Sequence, residues 1–348
     1  MPSNGASSSS GGGGSDPWAW LGLLKWSLSY SDGTREKGDI SPMSKEDREF
    51  LEKVMAEGII DENERMKFIL QEATKAMEYY RTKSKDSSPP SQSSDPPISD
   101  EDLEDLLQEL QDIVEQIDYA RAFCSLQGLP FLIGCIVMEQ NTIPDNIRMT
   151  CGGILSTVCQ NNPPVQKQLL ELGVIKSLSD AFFLTDTTMK MKAKIMQAIS
   201  SIVRNHELAE HVFCNLDQAQ ALFVQGLNKE SASEQLRSRT LFFFRALLTS
   251  DAGDAKRAEQ FEPAVSYIAE TYLGESTPPS LRELAVELLQ ELWEQERAPK
   301  TLLARKQALV GFGVQRIAAL RSIEGEEKEF AAIELEDWES FLKVLARS

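Results

Sequence analysis

The sequence predicts an all-α protein: an armadillo-type helical repeat solenoid with helical caps and a disordered N-terminal tail. Three observations carry that expectation. Helical periodicity is nearly continuous from Ser99 onward, with no alternating run bounded by turn signals. Residues 118–296 repeat with a period of 44 to 45 residues. Each period divides into two short helices and one long one, the pattern of armadillo units.

Taken in order, residues 1–40 read as a disordered tail, 41–82 as an N-terminal helical region and 83–100 as a disordered linker; residues 101–348 read as the repeat domain with its caps. Residues 1–17 are Ser/Gly-rich, a composition that buries too little apolar surface to fold. Trp18 to Tyr30 follows, aromatic and aliphatic with Lys25 as its single charge, and too short to build a core. Ser41-Pro42-Met43-Ser44 opens a helical stretch to about Tyr80, with Ser44 to Asp47 as a capping-box variant. The linker is rich in Ser, Pro and Asp. Residues 101–117 carry seven acids and no base, and predict a solvent-facing helix that caps the first repeat. Residues 301–348 supply polar helices at the other end.

The repeat register is clearest at the ends of the long helices: Val158-Cys159-Gln160-Asn161, Ile202-Val203-Arg204-Asn205, Leu247-Leu248-Thr249-Ser250 and Leu292-Trp293-Glu294-Gln295. The apolar column Leu155, Ile199, Phe244 and Leu289 advances by 44, 45 and 45 residues. In the second unit a helix from Val165 to Leu172 stops near Gly173, a second runs from Val174 to Phe183, and a third from Met189 to Asn205. One such unit cannot bury its own apolar face, whereas stacked units share a core and leave a groove lined by the third helices.

Composition removes several function classes. Asp plus Glu outnumber Lys plus Arg by 54 to 36, a net charge of −18, and no basic run offsets it, so nucleic acid and anionic lipid are disfavoured partners. No stretch approaches a membrane span, and no basic segment precedes the short apolar run at Trp18, so the expected location is the cytosol, with the nucleus as alternative. Cys124, Cys135, Cys151, Cys159 and Cys214 form no CxxC pair and read as buried reduced thiols. His206 and His211 are the only histidines, and their spacing of five turns them about 140° apart on a helix, unlike the HExxH zinc motif. Phosphate loops, dinucleotide fingerprints and nucleophile elbows are absent. No catalytic residue, cofactor or metal is expected, and the Gly152-Gly153 pair reads as a close-packing site within a helix.

Rotation at 100° per residue from the apolar column assigns the exposed strip of each third helix. It comprises Thr150, Gly153, Thr157 and Asn161 in the first unit, then Lys194, Gln197, Ser201 and Asn205, then Arg239, Phe242, Ala246 and Ser250. The fourth is acidic at Glu287 and Glu291. Lys194, Arg239 and Phe242 make a candidate hot spot. Peptide-reading import receptors repeat an Asn at the position held here by Thr157, Ser201 and Ala246, so a long extended peptide is a disfavoured ligand.

Several of these residues look familiar. Leu23-Leu24-Lys25-Trp26-Ser27, Ile117-Asp118-Tyr119-Ala120, Val158-Cys159-Gln160-Asn161-Asn162 and Val203-Arg204-Asn205-His206 resemble the motifs of the Fes and Hsp-binding-protein family. That family comprises armadillo-type nucleotide exchange factors for the seventy-kilodalton heat-shock chaperones. Tyr119 stands where the family usually has Asn, and the fourth repeat matches loosely. The resemblance implies a co-chaperone whose repeats embrace the chaperone's ATPase domain and promote ADP release. It also implies contacts at Ala120 and Arg239. The full candidate partner-binding set is Asp118, Ala120, Asn161, Lys194, Asn205, Arg239 and Phe242. Trp18, Trp20, Leu23, Leu24 and Trp26 form a candidate client mimic, since an extended Trp/Leu run with one Lys suits a chaperone's substrate groove. The competing reading is an armadillo scaffold or adaptor for a different protein.

Overall fold

The computed structural model describes residues 45–46, 48–49, 61–85, 96–138, 142–325 and 327–347. The chain forms two compact units, Met1–Arg65 and Met66–Ser348. In the first, the described residues 45, 46, 48 and 49 are helical. The Trp18–Tyr30 segment, with the whole predicted tail, lies outside the described residues, as does the linker from 86 to 95.

Among the described residues there are seventeen helices and no strand. They are α1 (Glu62–Lys85), α2 (Asp100–Ile113), α3 (Ile117–Ser125), α4 (Gly128–Val137), α5 (Asp145–Cys159), α6 (Pro163–Glu171) and α7 (Val174–Phe183). Next come α8 (Met189–Val203), α9 (Glu207–Cys214), α10 (Ala219–Leu227), α11 (Glu234–Thr249), α12 (Ala255–Gln260) and α13 (Glu262–Thr271). The last are α14 (Pro279–Glu294), α15 (Lys300–Ala304), α16 (Lys306–Arg321) and α17 (Glu327–Arg347).

The period follows from packing. The long helices α2, α5, α8, α11, α14 and α17 each pack on the next, and α4 packs on α7 and α10 on α13 in a second layer. The predicted column Leu155, Ile199, Phe244 and Leu289 is fully buried between the layers. The starts of the third helices keep the same step, with N-caps at Pro144, Thr188, Ser233 and Pro278. Thr188 and Ser233 cap through their hydroxyls, which accept from the backbone N–H of Met191 and Leu236. Gly173, at φ +66°, supplies the left-handed residue between α6 and α7.

The acidic segment 101–117 becomes α2, which buries Leu103, Leu107, Leu110 and Ile113 against α5. Its acids begin at the N-terminus, where Ser99 caps and the helix dipole favours negative charge. Helix α1 buries Met66, Ile69, Ala73, Ala76 and Met77 in the same core, and its Tyr80 hydroxyl donates to Asp100 at 2.5 Å. The boundary drawn at 83–100 thus separates stretches of sequence rather than separate cores. In the middle of the stack, Phe213, Phe223, Phe243, Phe244 and Phe261 meet at ring distances of 4.6 to 6.1 Å, mostly edge-on.

Helix C-termini leave carbonyls without intrahelical donors, and here neighbouring elements supply them. Arg148 donates to Ile136 O at the end of α4, and the Tyr272 hydroxyl to Leu227 O at the end of α10. The Gln166 amide donates to Ser201 O, Ile202 O and Arg204 O at the end of α8. Arg257 and Arg297 do the same for α11, on Leu247 O and on Leu248 O and Ser250 O.

Candidate functional site

The third helices present one continuous face, and its polar residues change character along the row. On α5 it is neutral at Thr157 and Gln160; on α8 and α11 it is cationic at Lys194, Arg204 and Arg239. On α14 it turns acidic, where Glu287 and Glu291 pair with Arg245 at 2.5 and 2.6 Å.

The cationic stretch is built by three helices. Lys194 lies over the α5 glycine step: a Cβ on Gly152 would stand 3.5 Å from Lys194 Cβ, and one on Gly153 3.5 Å from Lys194 Nζ. The expected close packing at Gly152-Gly153 is therefore what lets this lysine lie flat. Arg239 reaches from α11 to α8, where Nη1 donates to Ala193 O at 3.1 Å and to the Gln197 side-chain oxygen. Arg204, the C-cap of α8, sits over the Phe242 ring with its guanidinium carbon 4.6 Å from the centroid. Between them lies a socket of about 290 Å³ that Arg204, Arg239 and Phe242 line together with Thr157, Gln160 and Ser200. No Asp or Glu lines it.

Burial lowers the pKa of all three cations from its ordinary value, and for Lys194 the charge of Arg239 adds to the effect. None of the three has a carboxylate partner among the described residues. In a chain of net charge −18, three half-buried cations without an acid form a surface prepared for a negative partner group.

The predicted residues separate on this geometry. Lys194, Arg239 and Phe242 come together as expected, and Phe242 is 45% exposed. Asp118 is exposed on α3, away from that group in sequence, and its nearest cation is Arg121 at 3.9 Å. Ala120 requires correction as a surface contact: it is 2% exposed, because its methyl faces inward from the short helix α3. Asn161 and Asn205 are exposed, but both are left-handed, at φ +51° and +58°. Asn tolerates that region better than most residues, so helix termination by itself accounts for their recurrence. Gly153 is buried under Gln111 and Lys194 rather than lying on the exposed strip. Trp18, Trp20, Leu23, Leu24 and Trp26 lie outside the described residues.

Rotation of single helices missed Arg204 and Ser200. Arg204 lies one residue past α8, and only the stack with α11 places it over Phe242. The histidines are local: His206 Nδ1 accepts from Ala209 N at the start of α9, and His211 Nε2 meets the Asn215 amide. Among the described residues no group of three or more His, Cys, Asp or Glu side chains is placed to hold a metal ion, and no single helix is long and apolar enough to cross a membrane.

Comparison with known proteins places this geometry. The model of the SIL1/FES1/HPBP1 C-terminal domain matches residues 119–295, just over half of the chain. The chain belongs to the SIL1/FES1/HPBP1 family. The matched residues run from α3 to the end of α14, so the family region contains the whole cationic face. Among members of the family, the chain is 27% identical over 211 residues to Hsp70-binding protein 1 of Homo sapiens, covering 60% of this chain and 54% of that protein. It is 24% identical over 158 residues to the Hsp70 nucleotide exchange factor FES1 of Candida albicans, covering 45% of this chain and 53% of that one. The chain thus spans about half the length of the relatives it matches. The fold itself is similar to a designed armadillo repeat protein, with a TM-score of 0.53 at 14% identity over 80% of this chain and 99% of that one. A computationally designed armadillo protein for modular peptide recognition gives 0.51 at 15% identity, over 71% and 94%.

Proposed function

We propose that this protein is a nucleotide exchange factor for a cytosolic seventy-kilodalton heat-shock chaperone. It acts by gripping the chaperone's ATPase domain along the third-helix face, and it performs no chemistry of its own. The observation that carries the reading is that the cationic face, with its acid-free socket, lies within the repeats matched by the family model. The curated relatives are named for binding this chaperone class or exchanging its nucleotide.

The mechanism follows from linkage. A protein without its own nucleotide site accelerates ADP release only by binding the open or nucleotide-free ATPase domain more tightly than the ADP-bound one. The factor by which it weakens ADP equals the factor by which ADP weakens it. A stack of helices that cap one another's ends suits this task, because a stiff surface selects one partner shape instead of following it. The N-terminal Trp18–Tyr30 segment then serves as a client mimic, entering the chaperone's substrate groove as nucleotide exchanges.

The deciding measurement is release of fluorescent ADP from a purified cytosolic chaperone with and without this protein. Acceleration at micromolar concentration is the expected result. An unchanged rate with a chaperone that responds to another exchange factor would refute the reading.

A further inference from the structure

We propose that the socket between α5, α8 and α11 is an oxyanion-binding site, and that in the complex its occupant is a carboxylate side chain of the bound chaperone. Only the second clause rests on the exchange-factor reading.

Four observations converge on the socket. Its volume of about 290 Å³ suits one side-chain end group rather than a folded segment. Its charged lining residues, Arg204 and Arg239, are both positive, and Lys194 stands beside Arg239. Two of its donors are unused: Arg204 Nε is buried without a partner, and the Ser200 hydroxyl, on a residue 5% exposed, makes no hydrogen bond in the structure, whereas the Ser156, Thr157 and Ser201 hydroxyls donate to carbonyls of their own helices. Finally, Arg204 is held by a cation–π contact. Its guanidinium carbon lies over the Phe242 ring, 4.6 Å from the centroid, and a guanidinium offers several N–H donors in a fork that matches a planar or tetrahedral oxyanion.

The energetics favour occupancy by an anion over any internal partner. Burial opposes the charge on Lys194, Arg204 and Arg239, and Lys194 and Arg239 repel each other. An arriving oxyanion relieves both penalties and meets donors that are already ordered. A neutral or cationic ligand relieves neither. Gln197, the neighbouring polar residue, is occupied by Arg239 and fixes that arginine toward α8, which leaves its Nε and Nη2 without an acceptor in the structure.

The test uses the full chain and follows the arginine side-chain Nε–Hε NMR signals during addition of sodium acetate, sodium phosphate or sodium chloride at matched ionic strength. Saturable shifts of the Arg204 signal with acetate and phosphate but not chloride are expected. In Arg204→Gln, the remaining Arg239 response should weaken by about tenfold or more in affinity. Phe242→Leu, which retains bulk but removes the ring, serves if Arg204→Gln alters the far-ultraviolet circular dichroism, and should weaken the response in the same direction. No saturable shift with either oxyanion overturns the site. A response to phosphate alone overturns the carboxylate occupant. The chaperone assay then separates the two clauses: acetate should weaken chaperone binding in the wild type and not in Arg204→Gln. Chaperone binding unaffected by acetate in the wild type overturns the second clause while leaving nucleotide exchange intact.

Discussion

Arg239 ties α11 to α8 and also faces outward beside Lys194, so its replacement has two separable effects. Losing its hydrogen bonds to Ala193 O and Gln197 costs about 1 kcal/mol of stability. Arg239→Glu should weaken chaperone binding by about 2–5 kcal/mol, the scale of a charge reversal at a central contact. Calorimetric titration against the chaperone, with urea unfolding as control, checks both; unchanged affinity in a folded variant removes Arg239 from the interface. Asp337 carries a different expectation. It sits on α17 with one carboxylate oxygen buried and unpartnered, and its pKa is raised to about 6 by burial first, then by Glu287, Glu283, Glu336 and Glu334. Arg245 is the cation that faces this group, and it is already held by Glu287 and Glu291. An unfolded aspartate titrates near about 3.9. The protonated form is therefore favoured by folding: its stabilisation is full below about pH 4 and is lost as pH rises through about 6. Asp337→Asn should raise the melting temperature at pH 7.5 and change it little at pH 4. An equal change at both pH values would contradict the assignment.

At the scale of elements, the distinctive feature is that helix ends are capped across repeats. Gln166 holds three carbonyls at the end of α8, the turn that carries Ser200 and leads into Arg204. Gln166→Leu keeps the volume and removes the donors. Leaving those carbonyls unsatisfied should cost about 1–3 kcal/mol, read as a lower melting temperature. Hydrogen exchange should also accelerate in the last turn of α8, with α14 unaffected. Uniform acceleration along the stack would mean that Gln166 acts through global stability instead of through this one helix end. Glu334 shows the same economy at the C-terminal side. Burial raises its pKa, but hydrogen bonds from Arg316 and Arg282 outweigh that and hold it below the ordinary value. The three side chains join α14, α16 and α17.

At the scale of the molecule, the proposed function divides between the repeat body and the N-terminal segment. The cationic face belongs to α8 and α11, whereas Trp18 to Tyr30 precedes every described helix in sequence. Deleting residues 1–32 should leave ADP release by the repeat body nearly unchanged and slow the release of bound client. A drop of several degrees in the melting temperature of the isolated protein would instead make the segment structural. The two assays thus report on different parts of one chain.

The sequence by itself determined the repeat. A period of 44 to 45 residues in apolar side chains is set by burial on one helical face, and burial leaves a local, countable pattern. The break at Gly173 and the limits of α7 were legible for the same reason. Exposure on a single helix was legible too, which is why Lys194, Arg239 and Phe242 were found. What pairs with what was left to the tertiary structure. The contact at Ala120 was implied by the family resemblance, and its burial is decided only by how α3 packs. That Asn161 and Asn205 end their helices was legible, but their left-handed backbone, which Asn tolerates, came only from the structure. The contact of Arg204 with the Phe242 ring joins residues 38 positions apart on neighbouring repeats. No periodicity encodes that pair: its geometry is set by how α8 and α11 lie against each other, and so is the meeting of Arg204 and Arg239 in one socket.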